Sequence, residues 1–210
     1  MQKVRHLFWD FDGTLYMSYP KMLQSMLKAV EELCPNHGIS EEEGMQYMKV
    51  STGYAARKCA EKLHLDVQQL SSRYSVLHHQ QKGFPYYEGL PECLRRLKDA
   101  GFHHYLYTHR DWTAVEQLES DGLWELFSGG VSKEDGFPLK PAPDALLSLM
   151  QKHGLTPDEC AMVGDRDIDL AAGKNAGMKG ILFDPDRYYQ DYPADLFVYS
   201  MKELADKLLL

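Results

Sequence analysis

Leu7-Phe8-Trp9-Asp10-Phe11-Asp12-Gly13-Thr14 is the stretch on which the reading of the fold turns. Its first three residues form an apolar, aromatic run that reads as a buried strand. The run stops at two carboxylates one residue apart. A desolvated carboxylate is costly without a partner, and a cation would supply one. Gly13 lets the chain turn sharply and brings backbone N–H groups close to whatever binds there. A strand that delivers Asp-x-Asp-Gly-Thr to its own C-terminal end is therefore a candidate site for Mg2+ and phosphate.

Outward from this stretch the character changes. From Tyr16 to Gly83 the sequence reads as helices only. Met22, Leu23, Met26, Leu27, Val30 and Leu33 recur at helical spacing, and Cys34-Pro35 closes the run. Ser40 with Glu43, and Asp66 with Gln69, are capping-box patterns for a second and a fourth helix. A third runs from about Tyr54 to Leu63. Four short amphipathic helices suggest a small bundle over 16–83.

From Phe84 strands and helices alternate. Gly89-Leu90-Pro91 opens a helix that stops at Ala100-Gly101, and His103–Tyr107 reads as a strand ending at Thr108. Asp111 is expected to cap the next helix, and Gly129-Gly130-Val131 to be a short strand. A helix is expected from about Ala142 to His153. Ala161–Val163 is a strand ending in Gly164-Asp165, and a helix runs on to Asn175-Ala176-Gly177. Gly180–Phe183 and Leu196–Tyr199 read as strands, and Ser200 with Glu203 caps a last helix. Such alternation means a parallel sheet covered on both faces. The expected class is α/β: a Rossmann-like, doubly wound parallel sheet built from 1–15 and 84–210, with the helical bundle 16–83 inserted as a cap. Tyr188, Tyr189 and Tyr192, with nearby aspartates, form a polar aromatic loop of no assigned role.

The chain has 210 residues, 44% of them hydrophobic, enough for one core domain carrying a small second one. A formal net charge of −8 argues against a nucleic-acid surface but leaves room for small anionic substrates held by a few local cations. Cys34, Cys59, Cys93 and Cys160 are scattered, which fits four small buried hydrophobes rather than a zinc site or a disulfide framework. Reduced thiols, with no long apolar run and no cleavage-site pattern, fit a cytoplasmic protein. The expected partner is a small phosphorylated metabolite, with no membrane, and the chain is expected to be a monomer or weak dimer.

In an open parallel sheet, ligands bind beyond the C-terminal ends of the strands. Asp10, Asp12, Thr108 and Asp165 fall at such ends, and Lys140, ahead of a helix, can lie on the same rim. Asp10 and Asp165 are hard oxygen ligands suited to Mg2+. Thr108 and Lys140 are suited to phosphate oxygens. Asp10 can attack phosphorus without activation by a base, giving an aspartyl-phosphate. Asp12 would then protonate the leaving oxygen and later deprotonate water. Thr108 and Asp169, taken alone, read more readily as an ordinary helix-capping residue and an ordinary first-turn acid. Asp165–Asp169 also resembles the start of an EF-hand loop, but Leu170 and Ala176 stand where that loop needs Gly and Glu.

Four motifs in order resemble the haloacid dehalogenase (HAD) superfamily. They are Asp10-Phe11-Asp12-Gly13-Thr14-Leu15, Tyr105-Leu106-Tyr107-Thr108, Lys140-Pro141, and Gly164-Asp165-Arg166-Asp167-Ile168-Asp169. Together they span essentially the whole chain, and the insertion resembles the C1 cap of the phosphoglycolate phosphatase and β-phosphoglucomutase branch. The resemblance implies Mg2+ as cofactor, held by Asp10, the backbone carbonyl of Asp12, and Asp165, with Asp169 holding the metal's waters. It implies a phosphate cradle of Gly13, Thr14, Thr108, His109 and Lys140. Dehalogenases and phosphonatases lack the second acid of the first motif, so Asp12 favours phosphate esters. Many relatives have Asn after the second-motif Thr; this chain has His109 and then Arg110.

Lys49, Arg57, Lys58, Arg73 and Lys82 are candidates to touch the non-reacting end of a substrate. Mutases of the family carry a cap His about where Met22 stands here, which favours hydrolysis. The expected function is Mg2+-dependent hydrolysis of a small soluble phosphomonoester. The alternatives are a β-phosphoglucomutase-like mutase and a non-catalytic phosphate-binding protein.

Overall fold

The run at Leu7 forms β1 (His6–Trp9), whose last three residues are fully buried. The structure, a computed structural model, describes residues 1–210. It divides into two units, residues 1–16 with 86–210, and residues 17–85.

The second unit holds α1 (Tyr19–Leu33), α2 (Glu41–Val50), α3 (Thr52–Leu63) and α4 (Val67–His79). α1 packs on α2 and α4, and α3 packs on both of those. The methionines at helical spacing are core: Met22, Met26 and Met48 bury against Val30, Leu70 and Leu77. Ser40 caps α2 by accepting the Glu43 N–H at 3.1 Å, and Asp66 caps α4 by accepting the Gln69 N–H at 2.7 Å. Only the first half of the α2 capping box is made, because the Glu43 carboxylate takes the Tyr47 hydroxyl and the Lys62 ammonium instead.

The first unit continues with α5 (Leu90–Asp99), β2 (His103–Tyr107), α6 (Thr113–Ser120), β3 (Phe127–Val131), α7 (Asp144–His153), β4 (Cys160–Gly164), α8 (Asp167–Asn175), β5 (Lys179–Phe183), β6 (Leu196–Val198) and α9 (Met201–Leu209). Its six strands form one all-parallel sheet in the order β3-β2-β1-β4-β5-β6. This is the expected Rossmann-like α/β architecture. Two helix starts differ from the sequence reading. α6 begins at Thr113, one residue beyond an Asp111 cap, although Asp111 still accepts the Thr113 N–H at 3.2 Å. α7 begins at Asp144 rather than Ala142, since Pro143 disfavours helical backbone at the residue before it.

On one face of the sheet Phe8, Tyr107 and Met162 pack against Leu146, Leu149 and Ala172 from α7 and α8. On the other face Trp9 Nε1 donates to His104 Nδ1 at 3.1 Å, so the ring's Nε2 carries the proton it donates to the Leu94 carbonyl of α5 at 3.0 Å. The strand order reverses about β1 and β4, and ligands bind beyond the strand ends at such a switch point. All four cysteines are free; Cys59, Cys93 and Cys160 are buried, while Cys34, at the C-cap of α1, is only half-buried and departs from the expectation. No helix is long and apolar enough to cross a membrane.

Candidate active site

β1 lies between β2 and β4, with Trp9 paired to Leu106 on one side and Val163 on the other. This register brings Asp10, Thr108 and Asp165, each just past its strand, to one edge of the sheet. The Asp10 N–H donates to the Val163 carbonyl at 2.9 Å, so the backbone that carries the carboxylate is still held by the sheet.

Lys140 enters this edge from the segment ahead of α7. Its side chain is fully enclosed, and Nζ donates to Asp10 Oδ1 at 2.6 Å and Asp169 Oδ1 at 2.8 Å. The ammonium also stands 4.5 Å from the centre of the Tyr107 ring. Asp169, in the first turn of α8, accepts the Arg166 N–H through its other oxygen at 3.1 Å. Gly164 makes this approach possible: a Cβ there would lie 2.2 Å from the Asp169 Cβ.

Burial pushes the Asp10 carboxyl up, to about 6, against the pull of Lys140 and with the push of Asp169. Burial alone would raise Asp169 as well, but Lys140 and Arg166 outweigh it and hold that carboxyl below its ordinary value. For Lys140, burial favours the neutral amine; Asp10 and Asp169 overcome it and raise its pKa. The result is one enclosed ammonium shared by two enclosed carboxylates.

Asp10 Oδ2 is buried and has no hydrogen-bond partner. Carboxylate oxygens of Asp10, Asp165 and Asp169 lie within 4.8 Å of one another. An orphaned buried oxygen among hard oxygen donors is what a divalent cation would satisfy, so these residues fit Mg2+. Thr14 Oγ1 donates to Asp165 Oδ1 at 3.3 Å, which orients the third of them.

The remaining expected residues are placed as follows. Thr108 is buried, and its hydroxyl accepts the Arg110 N–H at 3.0 Å. The His109 ring accepts the Lys140 backbone N–H at Nε2, 2.7 Å away; burial first, and then Lys140, push its pKa down to about 4. That bond fixes the backbone from which the lysine projects. Gly13, with φ of +83°, turns the chain, and its N–H donates to the Tyr16 carbonyl at 2.8 Å. The Asp12 carboxylate is gripped by Arg110, with Nη2–Oδ1 2.5 Å and Nε–Oδ2 3.3 Å. In the helical unit Arg73 pairs with Glu32 and Lys58 with Glu61, Arg57 and Lys82 are exposed, and Lys49 is half-buried.

Sequence reasoning did not assign the Arg110–Asp12 pair, the Tyr107 ring under Lys140, or Arg166 beside Asp169. The first had a signal, a cation directly after the second motif. The other two depend on how α7 and α8 dock on the sheet, and no local pattern announces them.

A family model for haloacid dehalogenase-like hydrolases matches residues 7–183. The chain belongs to that family. It is similar to the pyrophosphatase PpaX of Halalkalibacterium halodurans, 26% identical over 97% of this chain and 96% of the other. It is also similar to the PpaX of Bacillus velezensis, 29% identical over 85% of this chain and 82% of the other. The fold matches that of a predicted phosphoglycolate phosphatase from Haemophilus somnus, with a TM-score of 0.80, 20% identity and 99% of both chains covered. The matched family is one of hydrolases, and the chain is a HAD-type hydrolase.

Proposed function

We propose that this HAD-type chain is an Mg2+-dependent phosphatase that hydrolyses a small soluble phosphorylated metabolite through an aspartyl-phosphate on Asp10. The observation that carries the reading is Asp10 itself: a buried carboxylate with Oδ1 on Lys140 and Oδ2 without a partner. Mg2+ held by Asp10, Asp165 and the backbone carbonyl of Asp12, with Asp169 in support, would neutralise charge on the phosphoryl oxygens and keep Asp10 ionised.

The chain's own groups do the rest. Asp10 attacks phosphorus, forming the Asp10–phosphoryl bond as the bond to the leaving oxygen breaks. Lys140 and Thr108 hold the phosphoryl oxygens as they move. To serve as the acid, the Asp12 carboxylate must come off the Arg110 guanidinium and take up a proton; it gives that proton to the leaving oxygen and then takes one from the water that hydrolyses the intermediate. Met22, where mutases of the family carry a histidine, speaks for hydrolysis over return of the phosphoryl group to the substrate.

Because the similar PpaX proteins are named pyrophosphatases, inorganic pyrophosphate belongs in the substrate panel beside phosphoglycolate, sugar phosphates and nucleotides. The test is phosphate release across that panel with Mg2+, with EDTA, and with Asp10→Asn. Release that needs Mg2+ and disappears with the substitution supports the reading. Release that survives Asp10→Asn overturns it.

A further inference from the structure

Lys140 is the cation of the phosphoryl group, but a second cation stands on the other carboxylate of the first motif. Arg110 meets Asp12 through both carboxylate oxygens, and its side chain is only 9% exposed. It is a built feature and not a loose surface arginine. Its backbone N–H is held by Thr108 Oγ1 at 3.0 Å, its carbonyl accepts the Lys133 N–H at 3.0 Å, and its guanidinium carbon lies 5.3 Å from the centre of the Phe11 ring. The arginine is thus tied at its base to the second motif and at its head to the first.

We propose that Arg110 is a specificity-determining residue selecting substrates whose leaving group carries its own negative charge, a phosphoanhydride such as inorganic pyrophosphate over the phosphate ester of a neutral alcohol. The inference rests on the reading of Asp12 as the acid for the leaving oxygen. If Asp12 meets that oxygen, the group bonded to Asp12 is next along the leaving group's path. The Nε–Nη2 edge of the guanidinium, which lies on Asp12 here, is a planar fork that matches two oxygens of a phosphate once Asp12 is protonated and releases it. A neutral alcohol gives this fork nothing to hold. A departing phosphate gives it an anion at the place where charge builds up as the bridging oxygen–phosphorus bond breaks and the electron pair leaves with the phosphate.

The two functions separate by position. Lys140, between Asp10 and Asp169, serves the phosphoryl group whatever it is attached to. Arg110 then discriminates by what departs, so its removal changes a ratio between substrates and not only a rate.

The experiment compares pyrophosphate with glycerol phosphate in two ways. Mg2+-supported binding of each is measured by calorimetry to Asp10→Asn and to Asp10→Asn/Arg110→Gln. The kcat/KM for each is measured for the unaltered chain, Arg110→Gln and Arg110→Lys. Arg110→Gln is expected to weaken pyrophosphate binding, and to lower its kcat/KM, at least about tenfold more than for glycerol phosphate. Arg110→Lys recovers part of the ratio. Equal losses for both compounds, or no preference for pyrophosphate in binding to Asp10→Asn, overturn the proposal. Selective binding without phosphate release by the unaltered chain leaves Arg110's role standing and contradicts the proposed hydrolysis instead.

Discussion

In the α/β unit the Lys140 ammonium is fully enclosed between Asp10 and Asp169, whereas in the helical unit Arg73 stands 40% exposed against Glu32. The contrast extends beyond these pairs. Glu43–Lys62 and Glu61–Lys58 also lie toward solvent, and the interior of the helical unit is Met22, Met26, Met48, Leu70 and similar side chains. Burying a charge carries a desolvation cost that an exposed pair avoids. The helical unit stays folded on apolar burial, and its charges are a solvated surface. The α/β unit buries Asp10, Lys140 and Asp169 together at the strand ends, where a charged group would react.

Replacing Lys140 by Ala breaks this contrast most strongly. It leaves Asp10 and Asp169 buried and facing each other without their cation, so we expect a loss of about 3–5 kcal/mol of stability by denaturant unfolding. Phosphate release is expected to fall at least about 1,000-fold, because the phosphoryl oxygens lose their preorganised donor.

A buried histidine gives the next effect. His104 is enclosed and neutral between Trp9 and Leu94, and burial holds its pKa down to about 4. In the unfolded chain the same ring takes its proton near pH 6.5. Between these values the unfolded state binds the extra proton, so stability is full above about pH 6.5 and declines as pH falls toward 4. The decline assigned to His104 is roughly 3 kcal/mol, at about 1.4 kcal/mol for each pH unit that separates the folded and unfolded pKa values. His104→Gln is expected to reduce the fall of unfolding free energy across this window by about half, leaving the comparable contribution of His109, whose pKa is also held down to about 4.

Gly164→Ala sharpens the comparison through packing. Its Cβ would meet the Cβ and carboxyl carbon of Asp169 at 2.2 and 2.6 Å, both close to the helix backbone and unable to swing away. We expect destabilisation of about 1–3 kcal/mol with a drop in phosphate release, measured by unfolding and assay together. Arg73→Ala is the smallest change: its thermal midpoint is expected to stay close to that of the unaltered chain, as an exposed ion pair contributes little.

The places where the sequence was readable share a physical cause. Strands β1, β2 and β4 are short apolar runs that end abruptly in Asp10, Thr108 and Gly164-Asp165, and both the local pattern and the tertiary fold require that ending. Lys140 and Asp10, 130 positions apart, were linked through ordered motifs, and the bond between them is present. What sequence did not show depends on contacts between elements. Ser40 and Glu43 look like a complete capping box, yet Lys62 from another helix takes the glutamate. Neither Trp9 nor His104 announces its partner, because a cross-strand bond depends on register. Arg110 reads as an ordinary post-motif cation until two loops bring it onto Asp12.

The central claim is that the enclosed carboxylate of Asp10 becomes covalently phosphorylated. The direct measurement is to quench turnover with acid, reduce the trapped acyl-phosphate with borohydride, and locate the modified residue by peptide mass mapping. The expected result is homoserine at position 10, formed only with substrate and Mg2+ and absent in Lys140→Ala. Modification at another carboxylate, or steady phosphate release from a chain whose Asp10 never becomes reducible, would contradict it.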